Sequence, residues 1–521
     1  MDIMVAKITN KALVISAQVF QKKLVAAKNA ALNTSVTSPF IIHFSTLLIA
    51  LMSSTATSAA DWKVTPTFSV LETYSDNVNL SSQNQKSGFT TQIAPGVTVS
   101  GKSVGRVKLD VNYSLQDVIS LGEVQRNRLY HQLAGTANAE LVDQTLYMDA
   151  RANIGQQNIS YLGPQGTDTT TGDTSNITTV STYSLSPYLR HKFGSVATGE
   201  ARVTHDQVFY SSGGVANSTS NAVALNLNSG QSFNDVFWGL NYKNSKITSD
   251  ISQSDRESKS TSGTLGYNLT PKFRLFTSAG NETNTYATAP GASTGGSFWS
   301  AGFGWTPTDR TSIQASYGRR FFGKTYSLDL SHRTRMTTWS AKYSQDVTDT
   351  RTVALRPVTG VVINTTPQGQ PYYYVDPVTG KPLLTTLNVP FLTNDVYINK
   401  LFTASVGINS GKSNVALTAY NSVREFQVSG NSDRQYGGNA AWTLRLNPLL
   451  SSSVSAGWNR VLAPASSLQS DLWIVRLSLI RQFLPGTTGS VELRHQERTS
   501  NQANSDYTEN GITARLNMTF N

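Results

Sequence analysis

From Val64 to Phe520 the chain alternates apolar with polar residues, and this period of two limits the fold more than any other property of the sequence. In the stretch Arg106 to Leu115 every odd position from Val107 is apolar and every even one is polar or charged. The pattern returns at Leu146, Met148, Ala150, Ala152 and Ile154 against Tyr147, Asp149, Arg151 and Asn153. It recurs at Val491 and Leu493 against Glu492 and Arg494, and closes the chain as Ile512, Ala514, Leu516, Met518 and Phe520. Successive side chains of a strand point to opposite faces, so these segments read as β-strands with one apolar face and one wet face.

A soluble sandwich alternates in the same way, and the connections decide between the two. Short ones (101–103, 142–143, 270–271, 306–309, 409–412, 447–448, 484–487) alternate with long ones (162–179, 211–219, 248–258, 284–296, 498–507). Short turns on one side and long loops on the other mark an outer-membrane barrel, whose apolar band faces lipid around a polar lumen. Lipid tolerates only helices or closed barrels, because an open sheet edge leaves backbone groups unpaired. The reading is therefore all-β: an antiparallel transmembrane outer-membrane β-barrel spanning 61–521, of about 22 strands (range 18–24), running from 63–74 to 508–520. Tyr74, Trp238, Trp299, Trp305, Trp339, Trp442, Trp458 and Trp473 fall near predicted strand ends, where an aromatic girdle lies.

Composition agrees with this. Only 38% of residues are hydrophobic and 14% charged, and there is no cysteine, which removes disulfides and thiolate metal sites. Residues 1–60 differ from the rest, with five lysines and one acid, an apolar run from Phe40 to Met52, and a small-residue stretch ending at Ala60. That order predicts an extended secretory signal cleaved just before Ala60 or Asp61, the run being too short to span a bilayer as a helix. Beyond it remain 38 of the 43 basic and 31 of the 32 acidic side chains, a net charge of +7.

Pro66 to Leu80, with Thr73-Tyr74-Ser75-Asp76-Asn77 at its centre, and Ile93-Ala94-Pro95-Gly96 resemble the PEP-CTERM system-associated outer-membrane protein family. Tyr317 to Gly323, Leu328 to His332 and Asn394 to Ile398 are similar to it as well. The resemblance implies an outer-membrane barrel in Gram-negative bacteria that make exopolysaccharide alongside an exosortase sorting system. It implies no catalytic residue.

By the same alternation Arg106, Lys108, Arg151, Arg190, Arg202, Arg445, Arg476, Arg494 and Arg515 face the lumen, among Asp110, Asp149 and Glu492. A net basic wall favours anionic solutes or glycans; the alternative is that these cations pair with luminal acids and only solvate the wall. With the first strand starting near Val64, the candidate for occluding the pore is the proline-rich loop at about 350–397. Tyr372-Tyr373-Tyr374-Val375, Asp376 to Gly380 and Lys381 to Leu384 read as a small hairpin. It is either a constriction offering Tyr372, Tyr373 and Tyr374 to sugar rings or a surface loop that never enters.

Other chemistry is weaker. Gly407-Ile-Asn-Ser-Gly-Lys-Ser413 has three residues between its glycines where a phosphate loop has four, and reads as a hairpin turn. His131, His191, His205, His332 and His495 lack metal-ligand spacing, and His131 and His205, the candidates for a lipase-like pair, have no recognisable third group. Loop acids Asp168, Asp173, Asp250, Asp255 and Glu257 suit divalent ions bridging lipopolysaccharide, or are simply solvated. The expectation is a passive or gated, porin-like channel for surface-exopolysaccharide export with no cofactor and no enzymatic activity; the alternatives are a docking scaffold for that machinery and, third, a hydrolase. Expected partners are outer-membrane lipid and lipopolysaccharide, the barrel-assembly machinery through the strand ending at Phe520, and periplasmic polysaccharide-export components. Nucleic acid is not expected, because the basic residues are spread and not clustered.

Overall fold

A computed structural model describes residues 60–520 apart from 104–105, 123–125, 162, 167–169, 172–173, 252–254, 357–359, 366–370, 379 and 385–391. The proposed signal segment before residue 60 lies outside the described residues. One antiparallel sheet of 22 strands closes on itself, from Ala60–Ser75 to Tyr507–Thr519. The closing pair runs in register from Thr67↔Thr519 to Ser75↔Gly511. Every strand thus has two hydrogen-bonded neighbours, which is what a bilayer demands of a sheet.

Connections at one end are short throughout, for example 194–196, 271–272, 309–310, 448–449 and 485–486. Those at the other include 76–87, 159–176, 286–295 and 349–396. Short turns lie on the periplasmic side of such barrels, so the long connections are extracellular. The alternation maps onto the wall as expected: Leu265, Trp299, Leu417, Leu477 and Leu493 are exposed on the outer face, while Thr264, Ser300, Thr418, Ser478 and Arg494 point inward. The outer aromatics form two rows. Tyr74, Trp299, Tyr317, Tyr326 and Trp473 stand towards the extracellular rim; Trp305, Trp339 and Trp442 stand towards the short turns. Together the closed sheet, apolar outer band and paired girdles make this an outer-membrane protein.

Strand edges depart from the sequence reading by a few residues. Register shifts beside the short turns, as at Glu140/Val142 and Gln482/Leu484, are ladder irregularities where an extra residue breaks strict alternation. The seam between first and last strands is reinforced at the extracellular rim. The Asp76 carboxylate accepts from the backbone and side-chain amides of Asn510, both at 2.8 Å, and Asn77 donates to Thr508 O at 3.0 Å.

Arginine in place of Leu493, at mid-strand on the lipid face, should cost about 2–4 kcal/mol. Arginine at Asn241, exposed on the inner face, should cost far less; equilibrium unfolding from phospholipid vesicles measures both.

Candidate functional site

The long connection 349–396 begins by turning inward. Asp349 caps the short helix Thr350–Leu355 by accepting from Thr352 N, and its carboxylate also pairs with Arg256 on the inner wall. Arg351 donates to Asp206 O at 3.2 Å, and Ala354 and Leu355 pack on inward-facing Val180, Val208 and Tyr210. The helix is thereby fixed against the inside of the barrel, on strands distant in sequence.

Further along, Val362–Thr365 pairs with Pro371–Tyr373, and Val375 bridges to Pro382 across a turn at Gly380, whose φ is +68°. This small sheet lies on the inner face of the strands Tyr397–Asn409, Ser413–Phe426 and Ser432–Asn447. Val361, Ile363 and Tyr374 pack there against Ala416 and Ala441. The wall residues are small because backbone lies directly on them: any side chain at Gly407 would collide with Val362 O. Tyr374 Oη shares a hydrogen bond of 2.6 Å with Thr443 Oγ1, and Arg515 Nη1 donates to Val378 O at 3.1 Å. Thr443 and Arg515 stand near the periplasmic ends of their strands, at Asn447 and Thr519. The segment therefore descends most of the way through the lumen.

A second connection, 159–176, crosses the lumen nearer the outer rim. It leaves from the strand Leu146–Asn158 and is held by strands that lie far around the barrel. Arg498 donates to Gly163 O at 2.5 Å and Tyr161 O at 3.0 Å, and Tyr161 Oη donates to Asp433 at 3.3 Å. Asp433 in turn forms a two-pronged pair with Arg424 at 2.8 and 2.5 Å. Beside them Arg494, 1% exposed, holds Glu509, 0% exposed, at 3.1 and 2.9 Å and reaches Thr171 at 3.4 Å. Burial, reinforced by Asp433, pushes the Tyr161 phenol well above its usual range, so it remains a neutral donor. Leu80, from the connection 76–87, packs with Leu472 and Tyr507 to complete this layer, and Leu392 N donates to Ile159 O at 3.0 Å, tying the two long connections together.

The cations singled out by alternation are placed as follows. Arg190 and Arg202 share Glu200 at 2.9 and 3.1 Å, and Arg202 reaches Asp149 at 2.9 Å and lies 3.8 Å over the Tyr188 ring. Lys108 pairs with Asp110 at 3.3 Å and Arg476 with Glu492 at 3.7 Å. Arg151 and Arg445 are exposed on the inner face. Arg106 is exposed at the short turn just before the strand Val107–Gly122, its carbonyl accepting from Glu140 N at 2.7 Å. Much of the basic charge expected of the wall is thus neutralised locally. Tyr374, 2% exposed against the wall, offers no free face for stacking, because its ring fills the hydrophobic contact with Ala416 and Ala441; Tyr373 is exposed and the side chain of Tyr372 lies outside the described residues. His131 bonds Tyr113 Oη and His205 bonds Asn221, both at 2.8 Å. Alternation places Arg424, Asp433, Arg498 and Glu509 on the wall but carries no sign of the loop that covers them, so their anchoring role was missed.

Replacing Glu509 by Gln removes the buried carboxylate that holds Arg494 through two hydrogen bonds, expected to cost about 3–5 kcal/mol. The denaturation midpoint should fall and protease should gain access to 159–176.

No family model and no curated protein matches this sequence. Among solved structures, the FrpB iron transporter from Neisseria meningitidis (F5-1 variant) is similar with a TM-score of 0.47 at 10% identity, over 88% of this chain and 82% of that one. The siderophore receptor PirA from Acinetobacter baumannii gives 0.45 at 9%, over 87% and 80%. A ferric enterobactin receptor (PfeA) mutant from Pseudomonas aeruginosa gives 0.44 at 10%, over 87% and 80%.

Proposed function

We propose that this barrel is a gated outer-membrane pore whose passage is set by the inward-folded segment 349–396, and that it serves surface-exopolysaccharide export. The observation that carries the gating is the seat of Val361, Ile363 and Tyr374 on Ala416 and Ala441, deep within the wall. The segment meets the lower wall through apolar contact and hydrogen bonds to Thr443 and Arg515, and meets the rim through the Arg256–Asp349 pair, the Arg351–Asp206 bond and the packing of Ala354 and Leu355. Such a seat can be left without breaking the barrel, because no ladder hydrogen bond of the wall passes through it. The exopolysaccharide assignment is supported by the resemblance of residues 66–80 and 317–332 to the PEP-CTERM-associated family.

Single-channel recording in planar bilayers, with protein purified from outer membranes, tests the gate. Deleting 360–384 should raise the conductance step several-fold over the intact chain, and Gly407→Val, which obstructs the seat, should raise it as well. Equal conductance in all three forms rejects the gate. Silence from folded protein in every form rejects the pore and leaves the docking scaffold.

A further inference from the structure

The strands from Val236–Ser249 to Gly296–Thr308 carry three phenylalanines on the wet face. Phe237, Phe276 and Phe298 all share the inward parity of Thr264, Ser278 and Ser300, and all are half-buried. Apolar rings on a water-facing wall need a reason. Each ring lies over a glycine of the neighbouring strand. The Phe237 ring occupies the place of a side chain at Gly266, and methyl groups at Gly302 and Gly280 would meet Phe276 Cζ and Phe298 Cζ, each at 2.7 Å. A ring laid sideways over a glycine rests on the sheet and leaves its outer side to the lumen.

Register orders the rings. Phe237 and Phe276 are both paired with Gly266, so they share one register two strands apart, about 10 Å. Phe298 pairs with Gly280, four residues up the strand from Phe276, about 13 Å nearer the extracellular end. The track thus steps down from Phe298 towards the short turns to the register that Phe276 and Phe237 share. Asn241, Lys243 and Arg274 beside it are exposed, so this sector of the lumen is open. Arg274 stands 5.8 Å from the Phe237 ring centroid and donates to Gln314 at 3.1 Å.

We propose that Phe298, Phe276 and Phe237 are a binding track for an oligosaccharide, the rings stacking on the apolar faces of pyranoses while serine and asparagine side chains meet their hydroxyls and Arg274 takes a uronate carboxylate. This inference rests on the pore reading and names its substrate class. Aromatic rings supply flat apolar contact at small entropic cost, and a charged neighbour adds orientation.

Two measurements separate the inference from its premise. Current blockade by oligogalacturonate is recorded in the 360–384 deletion, and calorimetric binding of the same sugar is measured on micellar intact protein, which needs no conduction. Phe276→Ala and Phe298→Ala should each weaken blockade and binding about tenfold. Phe276→Leu, which still covers Gly302, should weaken them equally, whereas Phe276→Tyr should preserve them. Arg274→Gln should weaken oligogalacturonate but not cello-oligosaccharide. If Phe276→Leu binds as the parent does, the ring is merely a cover for its glycine and the track is overturned. Conduction without any saccharide binding overturns the track and spares the pore; binding without conduction overturns the pore alone.

Discussion

Everything in this molecule follows from the need to pair backbone groups in a medium that supplies no hydrogen bonds. In lipid each unpaired amide or carbonyl costs several kcal/mol, so the register from Thr67↔Thr519 to Ser75↔Gly511 closes the whole ladder. The Asp76–Asn510 contact and the Asn77–Thr508 bond sit at the rim of that seam, where the ladder runs out and side chains take over its work. Closure also creates the lumen, and with it an inner surface that water alone does not have to fill.

That inner surface is divided. Towards the strands that carry Ala416, Ala441, Arg494 and Glu509 it is covered by chain, with small residues where backbone rests and ion pairs where loops are anchored. Towards Asn241, Lys243 and Arg274 it is open and built of short polar side chains with the phenylalanines between them. The two halves solve different problems: the covered side holds buried charge in ion pairs, as with Arg494 and Glu509, while the open side presents its polar groups to solvent.

The wall was legible in the sequence because lipid enforces alternation at every strand: Ile512, Ala514 and Leu516 announce their face without reference to anything distant. The same parity put Arg494 and Arg515 inside. What lies against them was not legible, since Thr171 and Val378 belong to connections whose sequence is merely polar or proline-rich. The seat of the hairpin was hidden for a related reason. Nothing in the alternation singles out Gly407, Ala416 and Ala441, and only the structure shows that their smallness makes room for another piece of chain.

The segment inside the lumen is continuous at both ends with neighbouring strands, Thr337–Thr348 and Tyr397–Asn409, both leaving from the extracellular rim. It has no route into the periplasm except through the pore it fills, so retraction carries it outward onto the cell surface. There Val361 and Ile363 would meet water, at about 1.5–3 kcal/mol for each side chain uncovered, and on the proposed gating that cost would favour the inward position at rest. An open molecule would therefore display an epitope that a closed one conceals, and the state of the passage would be readable by antibody, phage or protease from outside the living cell.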